Sequence, residues 1–590
     1  MPATKKDASR SDRGPGRRPA QADTSSGSPR QRTPPVAATQ PRRVKAREAA
    51  SRVRGLADVS DSLDGRRRLR RLARLVAKGS REVRGIAFIE GLLGECLDEA
   101  EHEAATRERW RTCEAVAWGL AWLARTRRAG GSAGGLLERL VKHARTATQQ
   151  LRDGDTASAA FVVALARLFN DIEACRCLER DANAALVEEL GRLVFTDGAV
   201  HVAGDPAGSA AIVERVERWS AVREVATAIG GPCPWDDETD DRWRRATVTA
   251  LRLLGGQGRP LTGAGRLPAC CSQRLLDAAT AARGRAGRTA TLVRDPRRRI
   301  EPAAAKRLLP RDFHSADAAS SIIRTGWHRD AVRVLLDHRS TVPRLEIATH
   351  DRLLVDGPWA WRVSINGRPL EAEGPWSVTG FESDRKATFL EIAAPLAGGL
   401  QIARQVVVLV RDAVVLLADA ITAATPPAGE VLACESGLSL GHGLEVEPAE
   451  ETRDVVAYDT SMRMMALPLA LPEWSAAPAP GSLAASAGSL LLRQESSGGR
   501  LYAPLWLDCH PARIGRPLTW RQLSVADTRR NLPRHQAAAF RVQAGLEQWL
   551  LYRTLDAARN RTVLGCNLSC EFLVGRVRED GVVSRTLEIE

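Results

Sequence analysis

The sequence predicts a multidomain α plus β protein, in which paired helices form an α/α toroid or solenoid and a large antiparallel β-sandwich follows. Three observations carry this reading. Between Leu63 and Leu254, apolar residues recur at three- and four-residue spacing, the mark of amphipathic helices. From Phe313 onward the apolar runs shorten, gain β-branched residues and are punctuated by Gly and Asp, as strands are. The two patterns meet in one run, Phe313 to Asp419, and a seam between two architectures is a common place for a ligand cleft.

Taken in order, Met1 to Glu48 is rich in Pro, Ser, Arg, Lys and Thr without apolar periodicity, so residues 1–48 are expected to be a disordered basic tail. From Leu63, RRRLRRLARLVAKG places Leu69, Leu72 and Leu75 on one stripe with arginines opposite. Helical patterns follow over Arg84–Glu101, Thr106–Arg127, Gly135–Leu151, Ala157–Asn170, Asp181–Leu193, Ser209–Ile229 and Asp240–Leu254. Short Gly, Ser and Asp breaks between them fit stacked helical hairpins, and the helical domain is placed at 60–310. Trp118 and Trp122 stand at i, i+4 on one helix, a spacing that reads first as core and second as a sugar platform. The glycine-rich GGQGRPLTGAG reads as a flexible connection, and ATLVRDPRRRIEPAAAKRLLPRD as the linker into the sheets.

The β-sandwich domain is placed at 313–590. Its opening strands are Ala319–Arg324, Ala331–Asp337 and Arg344–Ala348, followed by LLVDGPW. Beyond Asp419, further strands are expected at Glu430–Leu438, Met462–Ala470, Ser489–Gln494, Leu501–Asp508, Ala538–Val542, Glu547–Arg553, Thr562–Leu568 and Glu571–Arg576. Glu346 sits in an otherwise apolar strand, which calls for a buried partner such as Arg333.

At 590 residues the chain is too long for one core. Its formal charge of +15 is mostly arginine, and without a folded nucleic-acid module the excess reads as solubility and general attraction for anions. Nucleic acid is therefore not the expected partner. Eleven cysteines in this length form no disulfide framework, and Cys175-x-Cys177 and Cys566-x3-Cys570 lack zinc spacing, so buried thiols are expected and no metal. There is no phosphate loop, dinucleotide fingerprint, HExxH or nucleophile elbow, and no cofactor is implied. The first forty residues hold no signal-peptide core, and no apolar run reaches the roughly 18 residues of a membrane span. A cytoplasmic location is favoured, and the sequence sets no oligomeric state.

Several stretches together resemble the heparinase II/III-like family of polysaccharide lyases. LVEELGRLVFTDGAV is similar to that family's helix ending in a DG turn, and SSIIRTGW to its opening sandwich strand. RLLVDGPW, SDRKATFLEI, ARQVVVLVRDAVVLLADAI and NRTVLGCNLSCEFLVGRV continue the likeness in order over about residues 60 to 590. The resemblance implies an incomplete α/α toroid joined to an antiparallel β-sandwich, and β-elimination on a uronate-containing polysaccharide.

The departures concern the chemistry. The family's histidine segment falls on Leu336–Thr341, where His338 is the single imidazole and stands out of register. Its tyrosine would fall near Ala207–Ser209 and its asparagine near Asp155–Thr156, and neither residue type is there. β-Elimination needs a base for the proton beside the carboxylate, a group to neutralise that carboxylate and an acid for the leaving oxygen, with each acid or base contributing about 10²–10⁴-fold. The resemblance therefore points to an acidic-polysaccharide binder with reduced or lost lyase activity. His338 is its candidate catalytic residue, and His201, His314, Arg339, Arg344 and His350 are candidates for holding substrate. The alternative is a non-catalytic scaffold that engages an anionic partner through the helical toroid and the basic tail.

Overall fold

The first half of the chain mixes helices buried on one stripe with helices, such as Arg107–Leu123 and Ala159–Leu168, buried nearly all round, and they pack as two rows. The computed structural model describes residues 45–590 except 59, 61, 79–82, 103–106, 125–131, 202–207, 256–268, 282–283, 296–306, 329, 350–351, 424–428, 487 and 529. Its helices are α1 (Ala46–Asp58), α2 (Leu63–Lys78), α3 (Val83–His102), α4 (Arg107–Leu123), α5 (Ser132–Arg152), α6 (Ala159–Leu168), α7 (Glu173–Leu193), α8 (Gly208–Ile229), α9 (Asp237–Leu253), α10 (Ala269–Ala281) and α11 (Gly284–Arg294).

Helices α4, α6, α8 and α10 pack in series as an inner row, while α3, α5, α7 and α9 pack in series outside them, so each hairpin contributes one inner and one outer member. The sequence explains the sorting. AAFVVALARL in α6 is buried on every side, as is most of α4, whereas α2 buries Leu69, Leu72 and Val76 and turns its arginines outward. Trp110, Trp118 and Trp122 are all buried in this core, so the tryptophan pair is packing and not an exposed platform. Helix α1 begins inside the stretch expected to be tail, and the rest of that expectation, residues 1–44, lies outside the described residues. Helices α10 and α11 occupy ground that the sequence left unassigned or read as linker. Both are short and flanked by Gly- and Arg-rich segments, which hides their periodicity.

The strands open with β1 (Phe313–Ser315), β2 (Ser320–Arg324), β3 (Arg333–Asp337), β4 (Arg344–Thr349), β5 (Arg352–Ile365), β6 (Arg368–Leu370), β7 (Ser377–Ser383), β8 (Ala387–Leu396), β9 (Leu400–Leu409), β10 (Val414–Ala423) and β11 (Leu432–Leu440). The first sheet runs β1-β2-β3-β4-β5-β11 and ends on strands Ser489–Ser496 and Gly481–Ser486, with β6 paired to β5. The second holds β7 to β10 in reverse order, beside Leu501–Asp508 and three edge strands. A third sheet of five strands lies between Leu518 and Ile589, and a small fourth sheet includes Arg561–Val563. All pairings described are antiparallel.

These sheets stack, and alternation along each strand assigns every side chain to a layer. Ile322 and Leu335 join the helical core, while Ile323, Val334 and Leu336 point the other way against the second sheet. Along β10, Val415, Leu417 and Ile421 face the first sheet, and Val414, Leu416 and Ala418 face the third. Strands covered on both faces read as continuous apolar runs, which is why VRVLL and ARQVVVLV look as they do. The expected sandwich is thus extended by a third sheet and a small fourth one.

Arginines rivet the layers together. Arg404 of β9 is fully buried, bonds Asp419 of β10 at 2.7 Å, donates to the Trp359 carbonyl and lies 3.7 Å from the Trp359 ring. At the helical seam, Arg324 donates to the carbonyls of Arg252 and Leu254 (2.8 Å to the latter), and Arg333 to that of Leu253. The partner expected for Glu346 is there, with Arg333 4.0 Å away and both side chains buried. Replacing Arg333 by Leu should cost about 3–5 kcal/mol of unfolding free energy, because Glu346 keeps a buried charge without that cation. The double variant Arg333→Leu/Glu346→Leu should recover part of the loss, and urea unfolding of the set measures the coupling.

Candidate functional site

The seam is built from three short pieces of backbone, each held by local chemistry. Helix α7 ends in a tight turn closed by a bridge between Val194 and Val200, in which Phe195 N–H donates to Ala199 O at 3.0 Å and the Asp197 carboxylate accepts Ala199 N–H at 2.9 Å. Gly198 stands at φ +89, and a Cβ there would come within 2.7–2.9 Å of the Arg245 Cβ and backbone, so only glycine fits. The turn delivers His201, whose N–H is tied to Leu193 O at 2.8 Å.

The second piece is the start of α8. Ser209 N–H donates to Oε1 of Glu346 at 2.8 Å, setting a buried carboxylate of β4 at a helix N-terminus, where free N–H groups and the dipole favour negative charge. Gly208, at φ +60, permits this approach, since a Cβ would lie 1.6 Å from the same oxygen.

The third piece is the β3–β4 connection with the adjoining β1–β2 hairpin. His338 N–H is anchored on Ala319 O at 2.9 Å, and its side chain is buried. Arg339 forms an ion pair with Asp337 and reaches Nε2 of His201 at 3.5 Å. His314 contacts Ser321 Oγ at 2.9 Å and packs on the Phe381 ring at 5.3 Å. Further along the same connection, the Thr341 carbonyl accepts both indole N–H groups of Trp361 and Trp376 at 2.9 Å.

Five of the six sequence candidates are described. His201 and Arg339 meet directly, and His338 and His314 lie close enough to interact electrostatically. Arg344 stands apart in role, since Asp356 and Glu346 already engage its guanidinium. His350 lies outside the described residues. Two carboxylates were missed: Asp337, which the sequence offered only as a strand end, and Asp197, which it offered only as a turn residue and which acts on His314. Their signal was position, because both flank residues that had been singled out.

Burial governs the electrostatics. It pushes the His338 imidazole down to about 4, helped by His314, and lowers His314 as well, so both rings are neutral near pH 7. Burial also pushes the Asp337 carboxyl up to about 6, against the Arg339 backbone N–H and the charge of Arg344. The Nδ1 atoms of His201 and His338 are buried with no hydrogen-bond partner among the described residues. The chain's three tyrosines lie elsewhere, on strands Val455–Tyr458, Leu501–Asp508 and Glu547–Thr554. Tyr502 is buried and donates to Gln405 at 3.0 Å, and Tyr552 sits in the core beneath the third sheet. Asp155 caps a 3₁₀ turn and Thr156 faces Glu189, where the asparagine would have stood. Among the described residues no group of His, Cys, Asp and Glu could hold a metal ion, and no helix is long and apolar enough to cross a membrane.

No family model matches the sequence, and no curated protein matches it. Solved structures do. The chain is similar to a heparinase III at TM-score 0.54 and 11% identity, covering 89% of this chain and 92% of that one. It is similar to a mutant heparan sulfate lyase from Pedobacter heparinus at TM-score 0.51 and 9% identity, covering 89% and 92%. A further heparinase III structure gives TM-score 0.51 at 10% identity, covering 88% and 93%. The fold is polysaccharide lyase-like, as the sequence resemblance implied.

The neutral state of His338 has a thermodynamic consequence. An unfolded histidine protonates near 6.5, so between that value and about 4 the unfolded chain binds the extra proton and stability falls as pH falls. The parent protein should therefore lose about 2 kcal/mol more than His338→Gln between pH 7.5 and pH 5. Urea unfolding of both proteins at the two pH values checks this, and Asp337, which titrates in the opposite sense, is common to both.

Proposed function

We propose that this protein binds an acidic, uronate-containing polysaccharide at the seam between its helices and its first sheet, and that its β-elimination activity is reduced or lost. The observation that supports the reading most is the composition of the seam within a polysaccharide lyase-like fold. Arg339 projects from the β3–β4 connection with its side chain partly accessible, Nε and Nη2 on Asp337 and Nη1 toward His201, so a sugar carboxylate would meet it at the His201 edge or compete with Asp337. The half-buried Trp361 ring, held at the other end of that connection, suits the apolar face of a sugar ring.

Reduced turnover follows from what the seam offers for proton transfer. A phenol is missing from it, and of the imidazoles the half-buried His314 is occupied by Ser321. His338 is a weak base in this setting, and Asp337 is engaged by Arg339. With the usual base and acid absent, turnover should fall roughly 10⁴-fold or more below that of an active lyase. Nothing described favours the scaffold reading, whose basic tail lies outside the described residues.

Incubation with heparan sulfate, chondroitin sulfate and alginate, following the ultraviolet absorbance of unsaturated product, tests the catalytic half. Direct binding to the same polymers tests the other half, with Arg339→Ala expected to weaken binding about tenfold, as loss of one charge-assisted contact does. Robust turnover that His338→Ala abolishes would restore a working lyase, and absence of binding to every uronate polymer would remove the carbohydrate reading altogether.

A further inference from the structure

A cavity that shares no residue with the seam lies where the opposite edge of the first sheet meets strands of the second and third. It holds about 460 Å³, within the roughly 300–1,000 Å³ range of small-molecule sites. Its polar lining is unevenly satisfied. Gln494, on strand Ser489–Ser496, is 5% exposed, and its Oε1 is buried without a hydrogen-bond partner among the described residues. An orphaned buried acceptor is costly and calls for a donor from whatever fills the space.

The charges are uneven too. Arg500 is consumed by the Ala423 carbonyl at 3.1–3.2 Å and by Asp556 at 3.3 Å, and Glu495 by Arg493 at 2.7 Å. Arg534 has no hydrogen-bond, ion-pair or aromatic partner among the described residues. Its side chain is exposed, and the desolvation it does feel lowers its guanidinium with no acid to offset the effect. Tyr502 and Phe540, 6.4 Å apart, supply an aromatic wall, with the Tyr502 hydroxyl turned away to Gln405. The mouth is fixed sterically, because the Gly498 backbone is so close to His535 that a Cβ there would fall 2.0 Å from the ring nitrogen.

We propose that this cavity is a binding site for a small carboxylate-bearing polyol of the hexuronate class, whose carboxylate meets Arg534 and one of whose hydroxyls donates to Gln494. The two unmet needs are of opposite kind. Arg534, exposed at the cavity, offers an anion a free guanidinium and the buried Gln494 Oε1 calls for a hydrogen-bond donor, so a simple anion meets one and a neutral sugar the other. A hydroxy acid with a ring to lay against Tyr502 satisfies both. The site does not depend on the seam reading, since no residue is shared.

The test is calorimetric titration of the full chain with D-glucuronate, D-glucose and inorganic sulfate as separate probes. D-Glucuronate should bind more tightly than either of the others. Arg534→Ala should weaken it about tenfold, with partial recovery in Arg534→Lys. Gln494→Leu should weaken binding and raise the melting temperature, since it removes a buried unsatisfied acceptor, an effect a merely structural glutamine would not produce. Arg339→Ala, at the seam, should leave glucuronate binding here unchanged. Equal binding of D-glucose and D-glucuronate, binding of sulfate alone, loss through Arg339→Ala but not Arg534→Ala, or no binding at all would each overturn the assignment.

Discussion

The carbonyl end of helix α9 is the place on which the arrangement of the seam depends. A helix leaves its last carbonyls without internal partners and ends in partial negative charge. Here that end is driven onto the first sheet, away from water, so partners must come from the strands. Arg324 of β2 and Arg333 of β3 supply them, bonding Arg252, Leu253 and Leu254 through their main-chain oxygens. Two buried guanidinia side by side oppose each other's charge, and burial lowers both. They are tolerable because each donates to fixed carbonyl dipoles, with Asp312 and Glu346 nearby as counter-charges. Once α9 is seated, the turn after α7 and the start of α8 come to rest on β3 and β4, and His201 and Ser209 reach Arg339 and Glu346.

That mode of assembly also sets the chemical character of the seam. Strands buried on both faces hold polar side chains inside as mutually engaged groups such as Arg404 with Asp419, while the polar groups of the seam collect at the β3–β4 connection and the β1–β2 hairpin. The result is a set of imidazoles kept neutral by burial beside carboxylates held by arginine. Hydrogen bonding and shape recognition come readily to such a set. Proton abstraction needs a base matched to the operating pH and a partner acid, and the tyrosines that could share this work lie on strands elsewhere, two of them in cores.

Much of this was legible in the chain. Helix stripes such as Leu69-Leu72, the DG turn and the VRVLLD strand lie where periodicity placed them, and the Arg333–Glu346 pairing followed from one charge in an apolar strand. Helices α10 and α11 were illegible, because 11 to 13 residues between Gly- and Arg-rich segments give too few turns for a stripe to stand out. The third sheet was read as part of a single sandwich because alternation shows that a strand has two buried faces but not which sheet covers each. The site was legible in membership and not in state. Nothing in the letters told that Arg344 would be consumed by Asp356 and Glu346, or that burial would leave His338 uncharged.

The arginine content acquires a different meaning from the structure than from the composition. A chain of charge +15 invites a polyanion partner, yet arginine after arginine is spent inside on backbone oxygens. Arg453 donates to the carbonyls of Pro472, Trp474, Ser475 and Ala477, closing a loop that a single antiparallel bridge, Thr452 to Trp474, also ties down. Arg167 binds Ala226 O and Pro232 O as well as Glu179, and Arg513 binds Asp412 O while its guanidinium lies over Trp549. A planar fork of donors suits this work, because one side chain can satisfy several carbonyls at a layer junction where no strand or helix supplies N–H groups. Net charge therefore overstates the surface available to an anion. What discriminates a binding arginine from a structural one is whether its donors are already taken: by that criterion Arg324, Arg333 and Arg404 belong to the fold, Arg339 keeps only the edge beside His201 because Asp337 takes its Nε and Nη2, and Arg534 is without a partner among the described residues.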